Sequence, residues 1–244
     1  MNKKKVLSLA LVVIMVAILS FSTLAWFSDS DSVENNFGIG GGANNDPDGI
    51  FSIDVMEAVD KDGDGVVDET IGYDQDPNYR DTFTYEKIAP GDMLLKRPQT
   101  KNTGSYEQWV CMKVTFDDAN YWIALMQKYG YTDMTDMLYM RDKTTKLTAS
   151  ADWTRGETIV DNGKVTYVFY YNSTLPVGDT AILFGWVNIP YQFTQQDMAP
   201  FTNGDFQIVV TGEAIQVKNI TATNAQEAFA VVEATQTIGE SEND

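Results

Sequence analysis

Hydrophobic and polar positions alternate with a period of two through most of this chain, which is the pattern of half-buried strands. In FSIDVMEA (51–58), Phe51, Ile53 and Val55 alternate with Ser52 and Asp54. After a loop through Asp76, Pro77 and Asn78, TFTYEKI (82–88) reads as a further strand. IAPGDMLLKRPQTKNTGSYEQWVCMKVTF then reads as a Pro-Gly turn, a strand, an Asn-Thr-Gly-Ser turn and another strand. In that last strand Val110, Met112, Val114 and Phe116 share one face, with Trp109, Cys111, Lys113 and Thr115 on the other.

The period changes at 117–140, where Tyr121, Ile123, Leu125, Met126, Tyr129, Met134, Met137, Leu138 and Met140 fit two short helices split at Gly130. Their Met and Tyr stripes are expected to pack on a sheet, not to bind a metal. Trp153 opens a new β region, and Asp161-Asn162-Gly163-Lys164 reads as a hairpin turn. VTYVFYYN (165–172) and AILFGWVNI (181–189) are apolar on both faces, as central strands are, with a turn at Pro176-Val177-Gly178-Asp179 between them. PYQFTQQDMAPF reads as a loop with one helical turn, and 206–220 as the last long strand, with Gly212 a bulge or a close-approach point. Thr223 is expected to N-cap a final helix with Gln226 at N3, before a frayed acidic tail at 239–244. About nine strands separated by turn signals predict a mainly β chain folded as an antiparallel sandwich, with short helices in its connections and one at its C-terminus.

The first forty residues break this pattern. Lys3, Lys4 and Lys5 precede an uncharged run of 22 residues from Val6 to Phe27. A basic segment, an apolar segment and small residues at Thr23 and Ala25 are the parts of a secretory leader, with the cut expected between Ala25 and Trp26. The run is also long enough to span a bilayer, so the alternative is an uncleaved anchor. In either case the rest of the chain works outside the membrane, and only the leader contacts it. The expected organisation is therefore a leader (1–25), a post-cleavage strand with a Gly-rich linker (26–48), a sandwich (49–238) and the acidic tail (239–244). Within the second segment Val33, Phe37 and Ile39 form a short apolar-polar strand tethered by Gly40, Gly41 and Gly42. Such a strand either adds to an unpaired edge of a neighbouring sandwich or folds back on its own chain.

Between the first two strands of the sandwich lies DKDGDGVVDE. Asp60, Asp62 and Asp64 occupy positions 1, 3 and 5 of a calcium-type loop, Gly65 the sharp turn, Val66 the carbonyl position and Asp68 position 9. Alternate residues of a tight loop point inward, so three carboxylates converge on one hard cation. Ile71 stands at position 12 where a bidentate acid is usual; Glu69 and Asp74 are the substitutes on offer, neither at the standard spacing. The flanks read as strand and loop, so the motif is a DxDxDG loop and not a helix-flanked EF-hand. Weak calcium binding is expected there.

Composition narrows the chemistry. The net charge of −18, with a sequence pI near 4.2, disfavours nucleic acid and anionic membrane surfaces as partners. A single cysteine, Cys111, permits no intrachain disulfide, and with no base to activate it reads as a small strand residue. The sequence contains no histidine, which excludes His-ligated zinc hydrolysis and Ser-His-Asp or Cys-His nucleophiles. Asp117 and Asp118 are adjacent acids, which point to opposite faces of a strand and argue against a hydrolase. No enzymatic activity is expected.

Three separated segments carry a resemblance. The join TLAWFSDSDSVENNFGIG, through Leu24, Ala25, Trp26, Phe27, Asp29, Asn36, Phe37 and Gly38, resembles the processing boundary of the TasA/camelysin-like biofilm matrix proteins of Gram-positive bacteria. The centre (Ile88, Pro90, Gly91, Asp92, Asn102, Gly104, Ser105) and the ending (Glu213, Ala214, Gln216, Asn224, Ala225, Ala228, Phe229) resemble the same family, as does the second turn, LPVGD. The resemblance implies cleavage by an alternate signal peptidase of the SipW type, a jelly-roll-like sandwich, and a secreted subunit of cell-surface or matrix fibres. Its partners would be copies of itself or related matrix proteins, joined by insertion of the post-cleavage strand (26–39) into a neighbour's sheet. The camelysin name also implies a metalloprotease, which this histidine-free sequence cannot be by a His-zinc route. A calcium-dependent adhesin is the alternative reading.

Overall fold

The computed structural model describes residues 28–33, 53–59, 66–67, 69–71, 88–203, 206–218 and 220–241. Among them the chain forms two antiparallel sheets packed face to face, a jelly-roll-like β-sandwich. The first sheet runs β1 (Ser28–Val33), β11 (Ile208–Gln216), β5 (Gln108–Phe116), β8 (Lys164–Tyr171) and β7 (Trp153–Asp161). The second runs β3 (Glu69–Ile71), β2 (Ile53–Val59), β4 (Met93–Asn102), β10 (Trp186–Asn188) and β6 (Leu138–Tyr139), with β9 (Thr180–Ile182) also on β4. The expected strand at 82–88 lies outside the described residues, apart from Ile88, which is in no strand.

The alternation in β5 is realised as expected. Val110, Met112, Val114 and Phe116 are buried in the main core, opposite Ala214, Gly212, Val210 and Ile208 of β11. The other face is also covered. Helix α3 (Ala225–Ser241) lays Ala225, Ala228, Phe229 and Val232, one stripe at helical spacing, over Trp109, Cys111, Val168, Tyr170 and Ile215. The first sheet is therefore sandwiched between the second sheet and a helix. This is why Cys111 is 1% exposed and its thiol pKa is raised by burial, an inert environment for a thiol.

The sheets approach each other closely at Gly212. A Cβ built there would lie 2.6 Å from Val55 Cγ2 and 3.5 Å from Ile53 Cδ1. The β11 register passes through Gly212 without a shift, so it is a close-approach point and not a bulge. The bulge is instead in β7, between Arg155 and Thr158, where a Cβ on Gly156 would meet the Tyr170 ring at 2.5 Å.

Several elements depart from the periodicity. Helix α1 (Ala119–Lys128) forms as expected and ends at Gly130, with φ +76°, but the second expected helix is a 3-10 turn (Met134–Met137) running into β6. Asp133 accepts the Thr135 N–H at 2.8 Å, and Leu138 is drawn into the ladder with Val187, so the segment's hydrophobes are buried without a full helix. The run 181–189 is interrupted at Leu183–Gly185. The ladder to β4 continues through Leu183 N–H to Pro98 O (2.9 Å) and Lys96 N–H to Gly185 O (3.2 Å). The helix cap also sits one residue later than expected: Asn224 Oδ1 accepts the Glu227 N–H at 2.9 Å, while the Glu227 carboxylate accepts the Thr223 N–H and O–H. Two acceptors meeting three donors fix the start at Ala225, and the helix continues through 239–241 where a frayed tail was expected. The loop after β10 ends in α2 (Ala199–Asn203), and Trp122 of α1 meets Phe201 and Phe206 at centroid distances of 5.3 and 4.5 Å, closing that end of the sandwich.

One charged pair is fully enclosed. Lys96 Nζ donates to both Glu57 oxygens at 2.9 and 2.8 Å, and both side chains are 0% exposed. Burial lowers the Lys96 pKa, and the adjacent Glu57 carboxylate opposes that shift. Removing one partner of such a pair costs about 3–5 kcal/mol, whereas replacing both with apolar residues of similar volume is often neutral. Lys96→Met should therefore lower the urea midpoint sharply, and Glu57→Leu in the same chain should restore most of it. Gly212→Ala should cost about 1–3 kcal/mol by overpacking, and Val55→Ala should relieve it; equal midpoints for Gly212→Ala and the unmodified chain would show the sheets free to separate.

Candidate assembly edge

β11 is paired on both sides over the stretch from Val210 to Ile215. β5 pairs with it from Ile208↔Phe116 to Gln216↔Gln108, and β1 pairs with it from Ser28↔Ile215 to Val33↔Val210. β1 is the outermost strand on that side among the described residues. Part of the segment expected to pair with a neighbour thus lies on its own chain's β11. Val33 is opposite Val210, while Phe37, Ile39, Trp26 and the cleavage residue Ala25 lie outside the described residues.

The composition of β1 explains what holds it. Its sequence, SDSDSV, has one apolar residue, and its backbone pairs with β11 from Ser28↔Ile215 to Val33↔Val210. Each backbone hydrogen bond adds about 0.5–1.5 kcal/mol net. Those bonds are made by main-chain atoms that any extended segment carries.

The residues behind the family resemblance have structural work at the turns. In the 88–92 turn Gly91 takes φ +93°, as position three of a type II turn requires, and Asp92 Oδ2 accepts the Ala89 N–H at 2.7 Å. The turn is bound to the end of the β10 region by Gly91 N–H to Ile189 O and Ile189 N–H to Asp92 O, both 2.8 Å. Asn102, fully buried, donates through Nδ2 to Tyr106 O and Leu175 O and accepts the Gly104 N–H. Its own backbone bonds Gly178 and Asp179. A single amide therefore ties the 102–105 turn to the 175–179 turn, where Gly178 again takes φ +83°.

The calcium-type loop joins two paired strands. Val59 of β2 is opposite Glu69 of β3 in an antiparallel pair. Both flanking segments are strands, β2 and β3, where a strand and a loop are expected from the sequence. Asp60, Asp62, Asp64 and Asp68 lie outside the described residues; the Val66 side chain is exposed, and Glu69 is the first residue of β3. Asp117 and Asp118 do not sit on a strand, because β5 ends at Phe116. Asp117 pairs with Lys164 at 3.0 Å, and Asp118 precedes α1 in a left-handed conformation, φ 52°.

Deleting residues 26–33 should leave a folded sandwich with one altered strand. Amides alternate between the two edges of a strand, so every second amide of β11 should lose hydrogen-exchange protection while those bonded to β5 keep it. Uniform loss along β11 would show that β1 is needed for the sheet itself.

Compared with known proteins, the chain matches no family model and no curated sequence.

Proposed function

We propose that this chain is a secreted structural subunit of cell-surface or biofilm-matrix fibres, assembled when the strand after the leader adds to the sheet of another copy. The observation that carries the reading is β1: a polar strand N-terminal to a Gly-rich connector, lying at a sheet edge and paired with β11 through its backbone. In a monomer it satisfies its own β11. At high local concentration the same hydrogen bonds form between copies, with Phe37 and Ile39 available as apolar anchors, and the chain polymerises without forming a new kind of contact. The leader supports export, with release by a signal peptidase between Ala25 and Trp26.

The acidic loop adds a calcium site to this reading. Asp60, Asp62 and Asp64, with the Val66 carbonyl, Asp68 and Glu69, would hold calcium with an affinity of about 10⁻⁴ to 10⁻³ M, the range of extracellular modules. The fit rests on the antiparallel pairing at Val59↔Glu69, which brings both ends of the loop together. The ion would relieve carboxylate repulsion at the tip.

Negative-stain microscopy of protein starting at Trp26 should show fibres, and protein lacking 26–39 should remain monomeric. Equal assembly by the truncated form would remove strand donation and favour the adhesin alternative. Millimolar calcium should raise the Tm, and Asp62→Ala with Asp64→Ala should abolish the rise. An unchanged Tm in the unmodified protein would remove the site.

A further inference from the structure

Among the described residues the first sheet has two edges, β1 on one side and β7 on the other, and β7 pairs only with β8. The bulge between Arg155 and Thr158 divides β7 in two. Before it, Trp153 is buried and Arg155 is tied to Asp133 at 2.7 Å. After it, 158–161 pairs regularly with Tyr167, Thr166, Val165 and Lys164 and is exposed throughout. This regular half carries Ile159 and Val160, 43% and 60% exposed, two adjacent β-branched residues on opposite faces. Edge strands are ordinarily guarded by a lysine, a proline or a bulge. Here the bulge guards the first half alone, and Asp161 is the one charge in the second.

The turn fixes which main-chain groups are free. In the two-residue Asn162-Gly163 hairpin, Asp161 and Lys164 form the first hydrogen-bonded pair, with Ile159 and Thr166 the next. Thr158 and Val160 fall at the positions between, so their N–H and C=O groups point away from β8. Val160 is opposite Val165 of the main core. Ile159 is opposite Thr166, on the outer face beyond the residues that α3 covers.

We propose that this half of β7 is a docking edge for β7 of a second copy, paired antiparallel about a two-fold axis through Ile159. The register favours self-pairing. With Ile159 opposite the partner's Ile159, Thr158 meets the partner's Val160 and Val160 meets the partner's Thr158, so every outward N–H and C=O of both strands is bonded. The two Ile159 side chains then form the non-hydrogen-bonded pair, in which side chains lie closest. A shift of two residues either way fails. It brings into the ladder Asn162, whose φ of +48° does not continue a strand, or Gly156 inside the bulge. One position further out, Glu157 faces the partner's Asp161. Glu157 sits in the bulge, however, and its carboxylate is turned back to accept the Tyr170 hydroxyl at 3.3 Å. The bulge also ends the pairing, so the contact closes as a dimer. Copies bearing −18 repel one another, so pairing strengthens as salt screens that charge. Because β1 lies at the opposite edge of the sheet, the contact is separate from strand donation and does not depend on the fibre reading.

The test is sedimentation velocity of the chain starting at Trp26, which separates dimers from fibres, across protein concentration at low and high salt. The expected result is a reversible monomer–dimer equilibrium that moves toward dimer as salt rises. Val160→Pro removes an outward N–H that makes no bond to β8, and should abolish the dimer. Ile159→Lys leaves every main-chain group in place and should weaken the dimer about tenfold, although it lowers the net charge. It keeps the test decisive if the proline variant misfolds. In Ile159→Cys the two thiols would lie across a pair whose Cα separation of about 4.5 Å permits a disulfide. Mild oxidation should link that variant into dimers, whereas Val177→Cys, also exposed but on the 175–179 turn, should stay unlinked; Cys111 is buried and takes no part. A chain that stays monomeric at every concentration and salt, or a dimer indifferent to both β7 substitutions, overturns the proposal. So does Ile159→Cys linking to a Ser30→Cys copy in preference to itself, which would make β1 the occupant. Dimers that depend on β7 in a chain that forms no fibres would leave the docking edge standing and defeat the fibre reading alone.

Discussion

The close contact between the sheets at Gly212 is the constraint on which the remaining architecture depends. β11 bonds β1 on one side and β5 on the other, and it presses its backbone against Val55 and Ile53 of the second sheet. Its opposite face contributes Ile215 to the core beneath α3. Every layer of the molecule therefore meets this strand. A side chain at Gly212 would separate the sheets, and dispersion between their inner faces falls steeply with such a gap.

Covering the first sheet on both sides changes what its outer residues do. Trp109, Cys111, Val168 and Tyr170 would be exposed in a bare sandwich; under α3 they form a second core. Beyond the helix the same face is polar, with Lys113 bonded to Glu213 at 2.5 Å and Thr115 to Thr166 at 2.8 Å. In the second sheet the Lys96–Glu57 pair carries two charges into the interior. Its bidentate geometry offsets part of the desolvation cost and fixes β2 and β4 to one register, since a slip by one residue would strand both charges.

The proposed assembly uses the weakest side of this arrangement. β1 adds hydrogen bonds to β11 but little apolar area, while the turns at 88–92, 102–105 and 175–179 lock the connections of β4, β5 and β9.

Much of the β architecture was legible in the sequence because strand periodicity and turn chemistry are local. The two faces of β5, the type I′ turn at Asn162-Gly163 with φ +48° and +79°, and the Pro-Gly-Asp turn all follow from residues within a few positions of one another. The 3-10 turn at Met134–Met137 and the break at Leu183–Gly185 were not legible, because partners distant in sequence decided them: Val187 draws Leu138 into a strand, and Arg141 packs where Gly185 lacks a Cβ. For the candidate sites, the acidic loop and the strand after the leader could be named from spacing alone. The pairing of β1 with its own β11 and the enclosure of Lys96 with Glu57 required the fold. Strand register and the neighbourhood of a charge are properties of segments far apart in the chain, and only tertiary packing brings those segments together.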